Sequence, residues 1–238
     1  MSGAWLVLPT YNEAENIEAI VRAALPELAS TGLAHQILVV DDGSPDGTGE
    51  IADRLAAELD EVQVLHRKRK EGIGPAYLAG FSYALGAGAE LLLEMDSDFS
   101  HDPMDLPRLV SAAADADLVL GSRYVKGGGV TDWGKTRRLI SRGGSLYARI
   151  VLGVPVHDLT GGFKCFRREV LEALDLRSVG TDGYGFQIEM TYRAIRAGFR
   201  VLEVPILFRD RRVGASKMSA RIAVEAFWKV PGLRFRVR

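Results

Sequence analysis

Short apolar runs alternate along the first half of the chain with stretches whose apolar residues recur every three or four positions. "AWLVLP" (4–9) reads as a buried strand, and Ile17, Ile20, Val21, Ala24 and Leu28 then repeat at helical spacing. Between them, Asn12 is placed to cap that helix, with Glu15 at the third helical position as in a capping box. "QILVV" (36–40) is a second strand, followed by the turn-rich "DDGSPDGTGE" and a helix to about Leu59. "VQVL" (62–65) is a third strand, 72–89 a loop and a helix of small residues, and "ELLLEMD" (90–96) a fourth strand. A helix from Pro103 leads to a fifth strand in "ADLVLGSR" (116–123). Strands alternating with helices predict an α/β fold, a mostly parallel central sheet flanked by helices. Such sheets bind ligands at the carboxyl ends of their strands. The polar motifs sit there: Thr10-Tyr11-Asn12, Asp41-Asp42, Asp96-Ser97-Asp98 and Ser122-Arg123.

After Tyr124 the rhythm changes. "KGGGVTDWGKT" is glycine-rich and reads as a mobile loop, and a helix with a basic start covers 136–152. "DLTGGFKCFRREVLEAL" reads as loop, short strand and helix, "GFQIEMTYRAIRAG" as helix, and "FRVLEVPILF" as a strand broken by Pro205. No internal repeat or linker interrupts the chain, so one domain over 1–238 is expected.

The net charge of −1 over 238 residues hides an asymmetry. Residues 1–66 carry twelve acidic and two basic side chains, 123–149 seven basic and one acidic, and 200–238 ten basic and three acidic. The second half is therefore suited to an anionic ligand or surface, the plainer alternative being a solvated basic face. Cys165 is the single cysteine, so no disulfide can form within the chain, and its setting between Phe163 and Phe166 is that of a packed thiol. No signal peptide opens the sequence and no apolar run approaches the roughly 18–20 residues of a bilayer span. The expectation is a cytoplasmic, non-spanning protein with no nucleic-acid partner.

Asp96 and Asp98 carry the chemistry. At a strand end, residues i and i+2 point the same way. Two adjacent carboxylates repel and resist desolvation, and as hard oxygen ligands they suit Mg2+ or Mn2+ completed by phosphate oxygens and water. The plainer reading is a capping aspartate beside a solvated one. Asp41-Asp42 can cap the next helix or accept from a base N–H or a ribose hydroxyl, and Tyr11 is placed to lie along a base. Gly72-Ile73-Gly74 is followed by Tyr77 where a dinucleotide fingerprint needs glycine, and no P-loop, HExxH or G-x-S-x-G occurs. His35, His66 and His157 are expected at the surface, while His101 near the Asp cluster stays open. Arginines gather in three places: Arg123, then Arg137, Arg138 and Arg142 around Ser141, then Arg209, Arg211, Arg212 and Lys217 around Gly214. Guanidinium forks suit phosphate oxygens, and three clusters in a near-neutral chain favour several phosphates.

"LPTYNEAENI", "VVDDGSPDGT", "MDSDFSH", "GSRY", "ISRG", "DLTGGFKCF", "GYGFQIEM" and "VPILFRDRRVGASKM" stand in this order over roughly residues 5–220. In these blocks the chain resembles the polyprenol (dolichol) monophosphate mannose synthases, family 2 glycosyltransferases of the GT-A fold. The resemblance implies a single GT-A catalytic domain and inverting transfer of mannose from GDP-mannose to polyprenyl phosphate. It implies that Pro9, Tyr11, Glu13, Val40 and Asp42 hold the guanosine. Asp96, Ser97 and Asp98 would meet the sugar and a Mg2+ or Mn2+ ion, with Asp98 the main metal ligand, and Asp96, Asp98 and Arg123 would form the catalytic group. Arg123, Arg211 and Lys217 would close over the diphosphate, and Arg138, Ser141 and Arg142 would take the acceptor phosphate. Some relatives place a glutamine ligand where this chain has Ser100. Relatives that glycosylate hydroxyls carry a Glu-Asp pair where this chain has Gln187 and Glu189, which fits an acceptor that needs no base. Two rivals remain: the same fold moving glucose from UDP-glucose, and a non-catalytic module that binds nucleotide sugar or anionic lipid. The tail, 222–238, aligns Ile222, Ala223, Ala226 and Phe227 beside Trp228 and several basic residues. It reads as an interfacial helix on the cytoplasmic face of an anionic membrane, as a piece that docks on a membrane-anchored partner, or as an ordinary packed helix.

Overall fold

A computed structural model describes residues 3–181, 183–210 and 229–237. The strands are β1 (Ala4–Thr10), β2 (His35–Asp41), β3 (Val62–His66), β4 (Leu91–Glu94), β5 (Leu118–Ser122), β6 (Gly129–Val130), β7 (Lys164–Arg167), β8 (Val201–Pro205) and β9 (Leu207–Phe208). The helices are α1 (Ile17–Ala29), α2 (Thr48–Glu58), α3 (Ile73–Gly86), α4 (Leu106–Ala112), α5 (Lys135–Leu152), α6 (Arg168–Ala173) and α7 (Tyr184–Arg196). Residues 229–236 are also helical.

Seven strands form one sheet in the order β3-β2-β1-β4-β7-β5-β8, and β6 pairs with β9 in a separate parallel ribbon. In the large sheet only β7 runs antiparallel to its neighbours. The expected mostly parallel sheet is therefore the one observed. Chain order grows from β1 to β2 and β3 on one side, then returns to place β4 on β1's other side. That reversal opens a crevice at the carboxyl ends of β1, β2 and β4, the topological switch point where open α/β sheets bind ligands.

The period of two along each strand sorts the core into two layers. Leu6, Leu8, Ile37 and Val39 face one layer with α1, α2 and α4, while Trp5, Val7, Leu38 and Val40 face the other with α3 and α7. On that second face α3 lies close to the sheet: a Cβ on Gly80 would stand 2.4 Å from Val7 Cγ1. Pro205 ends β8 at the sheet's edge, where a missing N–H costs no ladder bond.

One expectation needs correction, and one open reading is narrowed. Helix α1 begins at Ile17, and Asn12 lies outside it with φ 54°. The reason is non-local: Ser44 Oγ, Thr48 Oγ1 and Asp46 Oδ2 accept from the amides of Asn12, Glu13 and Ala14 at 3.0, 2.9 and 3.1 Å. The β2–α2 loop thus satisfies the donors that a capping box would have served. Of the three readings of the tail, its described part fits the packed helix. Val230, Leu233 and Val237 are buried in the core, and Arg234 Nη1 donates to the Val151 carbonyl at the end of α5. The portion 222–228 lies outside the described residues. Among the described residues no helix is long and apolar enough to cross a membrane.

Candidate active site

One cleft opens at the carboxyl edge of the sheet, and Asp96, Ser97 and Asp98 form its floor just past β4. Ser97 Oγ donates to the Pro9 carbonyl (3.2 Å), tying this turn to the end of β1. Asp98 Oδ1 accepts from the Ser100 amide at 3.0 Å, which turns the loop back under the carboxylates. The Ser100 hydroxyl is buried there with no hydrogen-bond partner among the described residues. His101, open from the sequence, is buried, its ring 5.0 Å from Phe163 and 5.1 Å from Phe208. Burial draws its pKa down to about 4 against the opposing pull of Asp98. A neutral ring accepting from the Asp96 amide at its Nδ1 is consistent with that shift, so His101 supports the turn.

Among the described residues no group of three or more His, Cys, Asp or Glu is arranged to hold a metal. The donor set at the floor is two carboxylates with an unpartnered hydroxyl nearby. Such hard oxygens fit a Mg2+ or Mn2+ ion that takes the rest of its shell from water and phosphate.

The acidic wing comes from β1 and β2. Pro9, Tyr11, Glu13 and Asp42 all line the cleft, whereas Val40 is wholly buried and its side chain faces Gly80 of α3. Asp42 is paired with Arg67, whose other nitrogen reaches Glu71 at 2.7 Å. Burial raises the Asp42 pKa against the pull of Arg67. Lys70, not singled out from the sequence, places its ammonium 4.3 Å from the centre of the Tyr11 ring.

The basic wing rests on Arg123, just past β5. Its Nε and Nη2 donate to the two oxygens of Asp158 at 2.7 Å each, and Nη2 also reaches Thr160 Oγ1 at 2.8 Å. The fork expected for phosphate is thus largely held by a protein carboxylate, leaving Nη1 toward other partners. Asp158 opens the "DLTGG" motif, and its neighbourhood is itself held by Glu203, which accepts from the amides of His157 and Asp158 at 2.8 and 2.9 Å. Trp133, Tyr124 and Phe208 surround the guanidinium at 5.2 to 5.9 Å. The Trp133 indole N–H is buried and has no partner among the described residues, although its ring lines the cleft. Arg137 stacks on that ring at 4.2 Å and bridges to Asp210 at 2.9 Å.

The expected acceptor residues sit on α5. Ser141 Oγ accepts from the Tyr124 hydroxyl at 2.7 Å, Arg138 donates to the Val130 carbonyl at 3.2 Å, and Arg142 is exposed. It is Arg137, one position earlier, that lines the cleft. Arg211 and Lys217 lie outside the described residues. Arg209 turns away toward Asp102 at 3.5 Å.

Behind the floor, α7 contributes Gln187, whose side chain reaches the cleft. Glu189 does not. It is buried and accepts from Thr181 Oγ1 at 2.6 Å and from Arg193 Nε and Nη2 at 2.9 and 2.6 Å. Cys165 is buried with its thiol pushed up to about 12 by burial, as a packed thiol should be.

Sequence reasoning missed Lys70, Trp133, Asp158, Thr160 and Tyr184 as parts of this region. Trp133 had a signal: an aromatic residue inside a basic, glycine-rich loop. Asp158 was visible only as the first residue of "DLTGGF" and Lys70 not at all, because their roles depend on partners 35 and 59 residues away.

Comparison with known proteins gives this geometry a context. The Glycosyl transferase family 2 profile matches residues 5–175. The chain is 50% identical to the polyprenol monophosphomannose synthase of Mycolicibacterium smegmatis, over 98% of this chain and 88% of that one. It is 49% identical to the undecaprenyl-phosphate mannosyltransferase of Micrococcus luteus, over 92% and 89%. In fold it is similar to the glucosyl-3-phosphoglycerate synthase of Mycobacterium tuberculosis bound to Mn2+, UDP and product, with a TM-score of 0.71 and 22% identity over 97% of this chain and 80% of that one.

Proposed function

The chain belongs to glycosyl transferase family 2, and from that premise we propose that it moves mannose from GDP-mannose to the phosphate of a polyprenyl phosphate, with inversion. The products are polyprenyl phosphate mannose and GDP. The observation that carries this reading is the division of the cleft. One wall offers Tyr11, Glu13 and Asp42 to a nucleoside, and the other offers Arg123 and Arg137, beside the Trp133 ring, to an anion. Between them lie Asp96 and Asp98, where the two substrates would meet.

In the reaction, an acceptor phosphate oxygen attacks the anomeric carbon as the bond from that carbon to the diphosphate breaks. A phosphate monoester has its second pKa near 6, so the attacking oxygen arrives ionised and no proton has to be removed. The one acid where relatives that glycosylate hydroxyls place a base, Glu189, is sealed by Thr181 and Arg193 and agrees with this. Arg137, stacked on Trp133, holds the acceptor phosphate on the side of the cleft away from the nucleoside, and Arg138, Ser141 and Arg142 line its approach. A bound Mg2+ or Mn2+ at Asp96 and Asp98 would neutralise charge on the departing diphosphate. The Mn2+ and UDP named for the M. tuberculosis synthase support a divalent ion in this fold.

The acceptor's isoprenoid chain stays in a bilayer, so the cleft mouth has to approach one. Helix α5 supports such an approach. Leu139, Leu146 and Ile150 lie on one helical face, with Ile140 beside it, and all four are more than half exposed. Arg138, Arg142 and Arg149 flank the stripe, the combination found in helices that lie in an anionic interface.

The test is direct. Incubation with labelled GDP-mannose, or with labelled UDP-glucose, and a polyprenyl phosphate should move label into the organic phase from the first donor only. Label from UDP-glucose alone would replace the donor, and binding of either donor without transfer would leave a binding module.

A further inference from the structure

A charged pair is buried beneath the cleft floor. Glu94 ends β4, Lys164 begins β7, and the two are cross-strand partners with no solvent exposure. Lys164 Nζ stands 3.2 Å from Glu94 Oε1, donates to the Gln187 carbonyl at 3.1 Å, and donates to Gln187 Oε1. The Lys164 ammonium and the Gln187 side chain are the polar groups that face the buried Glu94 carboxylate. As a source of stability such a pair contributes little, because the cost of desolvating two charges offsets much of their attraction. Its clearest consequence is geometric. An ammonium group only donates, so the oxygen of the Gln187 carboxamide has to face Lys164, and its NH2, which also interacts with Glu94, has two hydrogens to place.

That NH2 lies next to Gly162. A Cβ there would come within 3.2 Å of Gln187 Nε2 and 3.8 Å of Asp96 Oδ1. Gly162 thus leaves a gap in the cleft floor with a donor on one side and a carboxylate acceptor on the other. A sugar hydroxyl both donates and accepts, and needs this combination.

We propose that Gln187 and Asp96 together bind one hydroxyl of the transferred sugar, and that Lys164, held by Glu94, is the positioning residue that turns the Gln187 NH2 toward the cleft. The assignment rests on reading the cleft as a sugar-nucleotide site. Gln187 acts on substrate, whereas Lys164 acts only through Gln187.

The test uses the full chain, polyprenyl phosphate, GDP-mannose and GDP donors of each monodeoxy mannose. A site built to hydrogen-bond a hydroxyl rejects the analogue lacking it, so the wild type should discriminate strongly against one of them. In Gln187→Met that discrimination in kcat/KM should fall by about tenfold or more, while GDP affinity changes less than about threefold. Glu94→Gln/Lys164→Met should lose the same discrimination, and adding Gln187→Met should produce no further loss. Gly162→Ala, which leaves the buried pair intact, should also lose it and gives the answer if the double variant does not fold. Wild-type discrimination retained in Gln187→Met or in Gly162→Ala overturns the Gln187 assignment. Losses that multiply in the triple variant overturn the Lys164 role. A wild type that binds GDP but never transfers mannose would instead sink the donor reading.

Discussion

Asp158 grips Arg123 three times: through Nε and Nη2 at 2.7 Å each and through the Arg123 backbone amide at 2.9 Å, with both side chains almost fully buried. The guanidinium that faces the cleft is thus fixed in place before any anion arrives. Such pre-organisation removes the entropy cost of ordering a long side chain at the moment of binding.

Asp158→Asn should therefore do two kinds of damage. Leaving Arg123 buried without its counter-charge should cost about 3–5 kcal/mol of stability, read from urea or thermal unfolding, and turnover should fall with it. Burial opposes the charge on Asp158, but Arg123 more than offsets it and holds the carboxyl below the usual range. A depressed folded-state pKa stabilises above the unfolded value, near 4, and that contribution fades as pH falls through the depressed one. The stability gap between wild type and Asp158→Asn should thus be full at neutral pH and shrink only in strong acid. A gap that closes already at pH 6 would contradict the pairing.

Asp98→Ala addresses the metal. Its carboxylate accepts from the Ser100 amide, a bond whose loss costs about 1 kcal/mol, so the fold should survive the change. Turnover should drop by about a hundredfold or more if a divalent ion depends on it. Excess chelator should reproduce the loss in the wild type, and restored Mg2+ or Mn2+ should reverse it. Full activity in chelator would remove the metal from the mechanism.

Glu189→Gln separates a structural acid from a catalytic base. Loss of a general base costs about 10²–10⁴ in rate. The Glu189 carboxylate is occupied by Thr181 and Arg193, so the expected turnover stays within a few-fold of wild type. Stability should fall, because Arg193 loses its partner. A folded variant with normal donor binding and a rate as low as that of Asp98→Ala would make Glu189 a base.

These variants also mark what the sequence could and could not reveal. Apolar runs ending in carboxylates exposed the sheet and its binding edge, because a parallel strand buried on both faces is written almost entirely in local composition. Asn12 looked like a helix cap because caps are local patterns, but its turn is held by Ser44, Asp46 and Thr48 from another loop. Arg123 was legible as a cleft residue, yet its commitment to Asp158 was not, since the partner is 35 residues away. Lys164 sits in an apolar run as an anomaly, and only strand pairing brings Glu94 to it. The periodicity of α5 was readable, but periodicity does not say which faces the rest of the protein covers.

That uncovered face gives the last prediction. The described tail residues pack into the core, so removing 222–238 should destabilise the domain and would confound any membrane assay. Leu146→Glu/Ile150→Glu is the cleaner change, because both side chains are exposed and α5 packs on the domain through Ser145, Ala148 and Leu152 instead. The unfolding midpoint should stay near that of the wild type. Burying a large aliphatic side chain contributes about 1.5–3 kcal/mol, so loss of two such contacts should weaken binding to phosphatidylglycerol-containing vesicles by about a hundredfold. The apparent KM for a long-chain acceptor in those vesicles should rise, while a short, water-soluble polyprenyl phosphate should be used as before. High salt should weaken the wild type further by screening Arg138, Arg142 and Arg149. If the double variant floats with vesicles as well as the wild type does, at low and at high salt, α5 is not the face that meets the bilayer, and the anchor has to be sought beyond it.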